Sequence, residues 1–246
     1  LFLELLKLIC VSGIPKDNTL VAFTCSGGGA TMIADYAEKI GVLLPAYSSK
    51  VTKALENLLP EIATVSNPLD YTTPIWGNAQ KTAPVFLTAM RETRAATALL
   101  LQDYPAKGLD DSEISYINDA SAFIASAKAL NMPAMICSTF PENMKKSIRD
   151  DFLEKKISPM LGIEDAIESI KLASKYKFKQ KQSRQISVEP LSTVPKKMSV
   201  KFLSEFDSKS ALTAIGIEVP RGQIISYKNI KKTTWSLRLE RCTTMY

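Results

Sequence analysis

The stretch Phe23–Met32, FTCSGGGATM, sets three consecutive glycines between an apolar run and a helical pattern. Glycine weakens the interior of a helix or strand by roughly 0.5–1 kcal/mol relative to alanine, so such a run marks backbone doing something that side chains would prevent. On its N-terminal side, residues 19–25 (TLVAFTC) read as a short buried strand. On its C-terminal side Met32, Ile33, Tyr36, Ala37 and Ile40 recur at helical spacing, which predicts a helix from about Thr31 to Ile40 that stops at Gly41. A strand running through Ser-Gly-Gly-Gly into a helix presents free backbone N–H groups at a helix N-terminus. There the peptide dipoles favour an anion, and missing side chains let a phosphate or carboxylate come close. The same glycines also suit a tight turn that packs helix closely on strand. Both roles are open to these residues.

Strand and helix patterns alternate through the rest of residues 1–175. The opening LFLELLKLIC, interrupted by Glu4 and Lys7, reads as a helix packed on a domain rather than a signal peptide or membrane span, and its abrupt start predicts further sequence upstream. LPAYSSKVTKALENLLP predicts a helix with Ser48 or Ser49 as N-cap and Pro60 as its stop. ATVSNPLDYTTPIWG reads as a strand ending in a long ordered loop. A helix around residues 78–92 leads to a strand in ATALLLQDYP, an amphipathic helix in SEISYINDASAFIASAKAL and a strand in PAMICSTF. A helix after Pro141, a short piece near Ile157–Pro159 and a helix over Gly162–Lys175 complete the pattern. This alternation implies an α/β fold, an open and mostly parallel sheet with helices on both faces. In such sheets ligands sit beyond the carboxyl ends of the strands. The loops CSGGGA, SNPLDYTTPIWG and QDYPAKG would therefore open on one edge.

Within that edge, Ser26, Gly27, Gly28, Gly29 and Ala30 are the candidate anion-binding segment. Asn67 and Asp70 flank Pro68 and suit an Asx-type turn that holds its own loop. Alternatively, Asn67 and Thr72 line a cleft beside the glycines. Asp70 would repel a phosphate there unless it binds magnesium or caps a helix. Asp103 and Lys107 are further cleft candidates, and Trp76 reads as a packing anchor.

Several chemistries are excluded by residue type. The chain has no histidine, which removes Ser-His and Cys-His catalysis and histidine metal sites, and no catalytic residue or metal site is assigned. Its four cysteines, Cys10, Cys25, Cys137 and Cys242, are widely spaced with no C-x-x-C pair, as in a reducing cytoplasm. The glycine segment lacks the lysine of a P-loop and the spacing of a dinucleotide fingerprint. Cys25 reads as the last residue of a strand rather than a nucleophile. The net charge of +6 is unevenly spread, at −5 over residues 1–170 and +11 over residues 171–246. The basic stretch KLASKYKFKQKQSR leads into ISVEPLSTVPKKMSV, with the Pro/Ser/Lys content of a solvated linker rather than a nucleic-acid patch. Beyond it, FLSEFDSKSALTAIGIEVPRGQIIS predicts a helix, a turn at Gly216 and an Ile/Val strand, too little to fold alone.

FTCSGGGATMIADYAEKIGVLLPAYS, together with TVSNPLDYTTPIWG and TFPEN, resembles the NDP-forming acyl-CoA synthetases, near the feruloyl-CoA synthetase-like and acetate–CoA ligase members of the succinyl-CoA synthetase superfamily. The resemblance implies a flavodoxin-like CoA-ligase domain over residues 1–176, a linker over 177–200, an incomplete ATP-grasp start over 201–227 and an unassigned tail over 228–246. It implies a reaction in which acid, CoA and ATP give acyl-CoA, ADP and phosphate through a phosphohistidine. Ser26–Ala30 would match one of the helix N-termini that hold that group. The partners implied are the phosphohistidine-bearing and ATP-grasp domains or subunits of the same enzyme, with no nucleic acid and no membrane. The family uses ATP/ADP, CoA and Mg, none of which this chain is expected to bind alone. The chain departs from the family in having no histidine loop and in Gly29, where members often carry an acidic residue. The alternative is a noncatalytic flavodoxin-like module that binds a phosphorylated ligand or a partner subunit.

Overall fold

Leu20–Thr24 (β1), Leu69–Asp70 (β2), Thr97–Leu101 (β3), Ala134–Ser138 (β4) and Ser158–Leu161 (β5) form one sheet in the order β2-β1-β3-β4-β5. Every pairing is parallel, with Phe23 beside Leu69 and Leu100, and Leu101 beside Cys137. The computed structural model describes residues 1–105, 112–183 (side chains to 176) and 202–222. It divides into two units, Leu1–Ser187 and Val188–Tyr246.

The strand order 2-1-3-4-5 is that of the flavodoxin-like doubly wound sheet. Alternation along the fully buried strands sends successive side chains to opposite faces. Phe23 and Leu100 join a core with helices Ser49–Glu56 (α3), Ala79–Glu92 (α4), Glu113–Ala129 (α5) and Lys146–Glu154 (α6). The ring centroids of Phe23 and Phe123 lie 5.0 and 6.0 Å from that of Phe86, all edge-on. Ala22, Leu99 and Leu101 pack the opposite way, against Gly27–Ile40 (α2) and Ile163–Ser183 (α7). The opening helix Phe2–Lys7 (α1) and the π-helical turn Leu8–Ser12 cover the β5 edge. Glu4 accepts the Leu161 N–H at 3.0 Å, Lys7 donates to the Pro159 carbonyl at 2.7 Å, and Ser12 accepts the Ser158 N–H at 2.9 Å. An edge strand that would otherwise offer free backbone groups is thereby satisfied within the chain. No helix among the described residues is long and apolar enough to cross a membrane.

Several boundaries differ from the sequence expectation. Helix α2 starts at Gly27 rather than about Thr31, because Ser26 is its N-cap and draws all three glycines into the first turn. Of the strand expected in ATVSNPLDYTTPIWG, only Leu69–Asp70 pairs, since Pro68 has no N–H to give to a ladder. After Pro141 comes a 3-10 turn, Pro141–Asn143, before α6. Helix α7 continues to Ser183, past residue 176. In the second unit, Ser204 caps Glu205–Ala214 (α8) by accepting the Asp207 N–H at 3.1 Å, and Gly216 turns the chain at φ 83°. Residues 217–222 form no strand. Lys107, residues 184–201 of the expected linker and everything from residue 223 onward lie outside the described residues.

Candidate functional site

The sheet order reverses between β1 and β3, and the carboxyl ends of β1, β2 and β3 share one edge, as the loops predicted. In doubly wound sheets this reversal opens the crevice where ligands bind. The turn after β1 lies there. Ser26 is extended, its hydroxyl accepts the Gly29 N–H at a long 3.5 Å, and its carbonyl accepts the Ala30 N–H at 3.0 Å. The N–H groups of Gly27 and Gly28 have no partner among the described residues.

The three glycines have different tasks. A Cβ at Gly29 would sit 2.7 Å from Thr24 Oγ1 and 3.1 Å from a Leu101 methyl, so this position is bare because the helix lies directly on β1 and β3. The acidic residue common at the matching place in the resembled family could not enter without moving Thr24. At Gly28 a Cβ would meet only Ser26 Oγ, at 3.7 Å, and at Gly27 only Asp70 Oδ2, at 3.6 Å. Close packing therefore belongs to Gly29, and exposed backbone donors to Gly27 and Gly28.

The neighbouring wall is the strap Tyr71–Gly77. Asp70 Oδ1 accepts the Thr72 N–H at 2.9 Å, the Asx turn its sequence suggested, while Oδ2 faces Gly27. Thr72 is held at φ 64° and ψ 150°, a region that β-branched residues rarely occupy. Trp76 packs edge-on against Tyr116 with centroids 4.9 Å apart, the anchor expected of it. Gly77 turns at φ 76° so close to α5 that a Cβ would meet Ser115 Cβ at 2.6 Å.

Two expected cleft residues are committed elsewhere. The Asn67 amide accepts from the Ala22 N–H and donates to the Leu20 and Pro45 carbonyls, stitching the chain before β2 to β1 instead of facing the glycines. Asp103 accepts from the Thr139 N–H and hydroxyl and from the Asn143 amide, pinning the loop after β4.

Asp119 had no place in the sequence reading. This α5 carboxylate is fully buried and accepts from the Tyr71 hydroxyl (3.0 Å), the Gly77 N–H (3.1 Å) and the Thr82 hydroxyl (3.1 Å). Burial raises its pKa, outweighing the three donors that lower it. A signal was available, since Asp119 shares the apolar stripe of Tyr116 and Phe123 at helical spacing.

Burial, with a smaller contribution from the Asp119 charge, also pushes the Cys25 thiol up to about 11 from 9.0. At neutral pH its thiolate fraction is then about a hundredfold lower than for an unperturbed thiol. Iodoacetamide at pH 7.5 is expected to label exposed Cys10 at least about a hundredfold faster than Cys25. Peptide mass spectrometry over time checks this, and comparable rates would return Cys25 to the list of nucleophiles.

The geometry defines a flavodoxin-like α/β domain with a glycine-started helix at its switch point. No protein-family profile matches the sequence, and no curated protein matches it either. Solved structures do match in fold. PH0766 from Pyrococcus horikoshii OT3 has a TM-score of 0.56 at 18% identity, over 71% of this chain and 40% of that one. The dinucleotide-forming acetyl-coenzyme A synthetase 1 of Candidatus Korarchaeum cryptofilum, solved in complex with phosphate and ADP, has a TM-score of 0.54 at 16% identity, over 76% of this chain and 39% of that one. Its apo form matches equally, with a TM-score of 0.54. The chain spans about 40% of the length of PH0766, and a similar share of the synthetase. At these identities the likeness is one of fold.

Proposed function

We propose that this chain is part of an NDP-forming acyl-CoA synthetase and supplies the helix N-terminus that grips a phosphorylated histidine carried by another domain or subunit. The observation that carries the proposal is the pair of unpartnered N–H groups at Gly27 and Gly28, placed at the switch point of a fold shared with an acetyl-CoA synthetase. The 246 residues contain no histidine, so in this reading the phosphorylated residue belongs to another domain or subunit. In the complete cytoplasmic enzyme, ATP, CoA and magnesium would be handled with the phosphohistidine-bearing and ATP-grasp domains, the latter beginning within residues 201–227. Ser26, Gly27, Gly28, Gly29 and Ala30 form the phosphate-binding segment, in which Gly29 acts through packing. Asp70 is the cleft residue nearest to it. Magnesium has a poor fit, because no group of three or more His, Cys, Asp or Glu side chains that could hold a metal gathers at Asp70 among the described residues.

The grip is weak by design of its charges. Ser26–Ala30 contains no lysine or arginine, so attraction comes from the helix N-terminus, worth about 0.3–2 kcal/mol. That corresponds to tens of millimolar or weaker. Asp70 adds repulsion beside Gly27. Titration with phosphate and with phosphohistidine, followed by amide NMR, is expected to move Gly27 and Gly28. Asp70→Asn keeps the Thr72 bond and should tighten binding, whereas Gly28→Val should abolish it with the fold intact. Cys25→Ser should change nothing. Flat signals at Gly27 and Gly28, with a response at distant lysines, would favour the noncatalytic module and remove the phosphohistidine role.

A further inference from the structure

We infer that Asp119 is the positioning residue of this edge: from α5 it clamps both ends of the Tyr71–Gly77 strap and so sets Asp70 beside Gly27. The inference rests on the phosphate-gripping role proposed above and adds the device that fixes the shape of the grip.

The strap begins at Tyr71, whose hydroxyl donates to Asp119 Oδ2, and ends at Gly77, whose N–H donates to Asp119 Oδ1. One buried carboxylate thus holds both ends. Between them Thr72 sits at φ 64°, a conformation that persists only when its surroundings over-determine it. Asp70 precedes Tyr71 directly, and its carboxylate orientation depends on the Thr72 N–H that it accepts. The Asp70 and Tyr71 backbone stays paired with Thr24, but releasing the Tyr71 side chain and Gly77 would let Thr72 relax, turn its N–H away and free the Asp70 carboxylate to swing from Gly27. Other contacts each act at a single end: Asn118 donates to the Gly77 carbonyl at 3.1 Å and Trp76 packs on Tyr116, while the Tyr71 N–H donates to the Thr24 carbonyl at 2.9 Å and its ring packs edge-on against Phe86. The third donor, Thr82, ties the same carboxylate to α4. The clamp therefore links two helices and the strap at a single atom pair.

The test compares Asp119→Asn, Asp119→Ala and Tyr71→Phe in the full chain. Amide exchange at Thr72 and Gly77 and the amide shifts of Gly27 and Gly28 report strap position without ligand, and phosphate titration reports the grip. Asp119→Asn retains one oxygen for Gly77 and Thr82 and should keep wild-type shifts. Asp119→Ala should expose Thr72 and Gly77 to exchange at least about tenfold faster, move the Gly27 signal and change phosphate affinity. Tyr71→Phe keeps the ring packed and should loosen the Tyr71 end with the domain folded, which preserves the test if the alanine variant does not fold. Should wild-type protein fail to respond to phosphate, the phosphate role falls, while the ligand-free signals still decide on Asp119. Variants that lower stability yet leave the Thr72, Gly77 and Gly27 signals at their wild-type positions would overturn the inference.

Discussion

Gly77→Ala is expected to destabilise the Leu1–Ser187 unit by about 2–5 kcal/mol, more than any other single-methyl addition among the glycines of the edge. Two effects combine. The backbone at φ 76° is costly for any L side chain, by roughly 1–2 kcal/mol. The added methyl would also lie 2.6 Å from Ser115 Cβ and 3.1 Å from its Cα, the latter being α5 backbone that cannot swing aside. Overpacking of this kind costs about 1–3 kcal/mol. Moving the strap away to relieve the clash would break the Gly77–Asp119 bond. Gly28→Ala is the control, because its Cβ meets nothing closer than 3.7 Å and the residue is helical. There alanine should stabilise by about 0.5–1 kcal/mol. Urea denaturation of both variants checks the contrast, and equal midpoints would mean that the strap is not packed on α5 as described.

The sheet and its connections were legible in the sequence because buried parallel strands are short apolar runs and the intervening helices are amphipathic. TLVAFTC and PAMICSTF each contain a strand within a residue or two of expectation, and ATALLLQDYP contains one that stops at Leu101, four residues before the stretch ends. The glycine run was legible as a special backbone site but not in its division of labour. Whether a glycine is bare for packing or for access depends on what lies opposite, and Thr24 and Leu101 come to Gly29 only through the tertiary fold. The roles of Asn67 and Asp103 were open in the sequence for a related reason. Both lie near strand ends rich in turn residues, where an amide or carboxylate can serve a ligand or the backbone equally well. Here Asn67 gives all three of its bonds to backbone groups, and Asp103 takes one backbone N–H and two side-chain donors of the loop after β4. Asp119 was hidden because it lies on a helix far from every loop motif. Its three donors come from the loop after β2 and from α4, which are distant in sequence.

Asp119→Ala and Asp119→Asn are expected to separate widely. Alanine removes both acceptor oxygens, takes from the buried Tyr71 hydroxyl and the Gly77 N–H their bonds to Asp119, and leaves the Thr82 hydroxyl only its 3.3 Å bond to the Asn78 carbonyl, for a loss of about 2–4 kcal/mol. Asparagine keeps one oxygen for Gly77 and Thr82, and its amide N–H₂ can donate to a Tyr71 hydroxyl turned to accept. Its net change at pH 7 should stay within about 1 kcal/mol. The two proteins should also differ in pH dependence. Burial raises the folded pKa of Asp119 above 3.8, so the wild type carries a desolvation cost at every pH above that folded value. The cost fades as pH falls through the folded pKa and is gone below 3.8, where the group is protonated in both states. Asparagine never carries it. The stability of Asp119→Asn relative to wild type should therefore be most favourable at pH 7 and decline toward pH 4, as read from urea midpoints at several pH values. A difference that instead grew on acidification would mean that the folded carboxylate is stabilised as a charge, and that its three donors outweigh its burial.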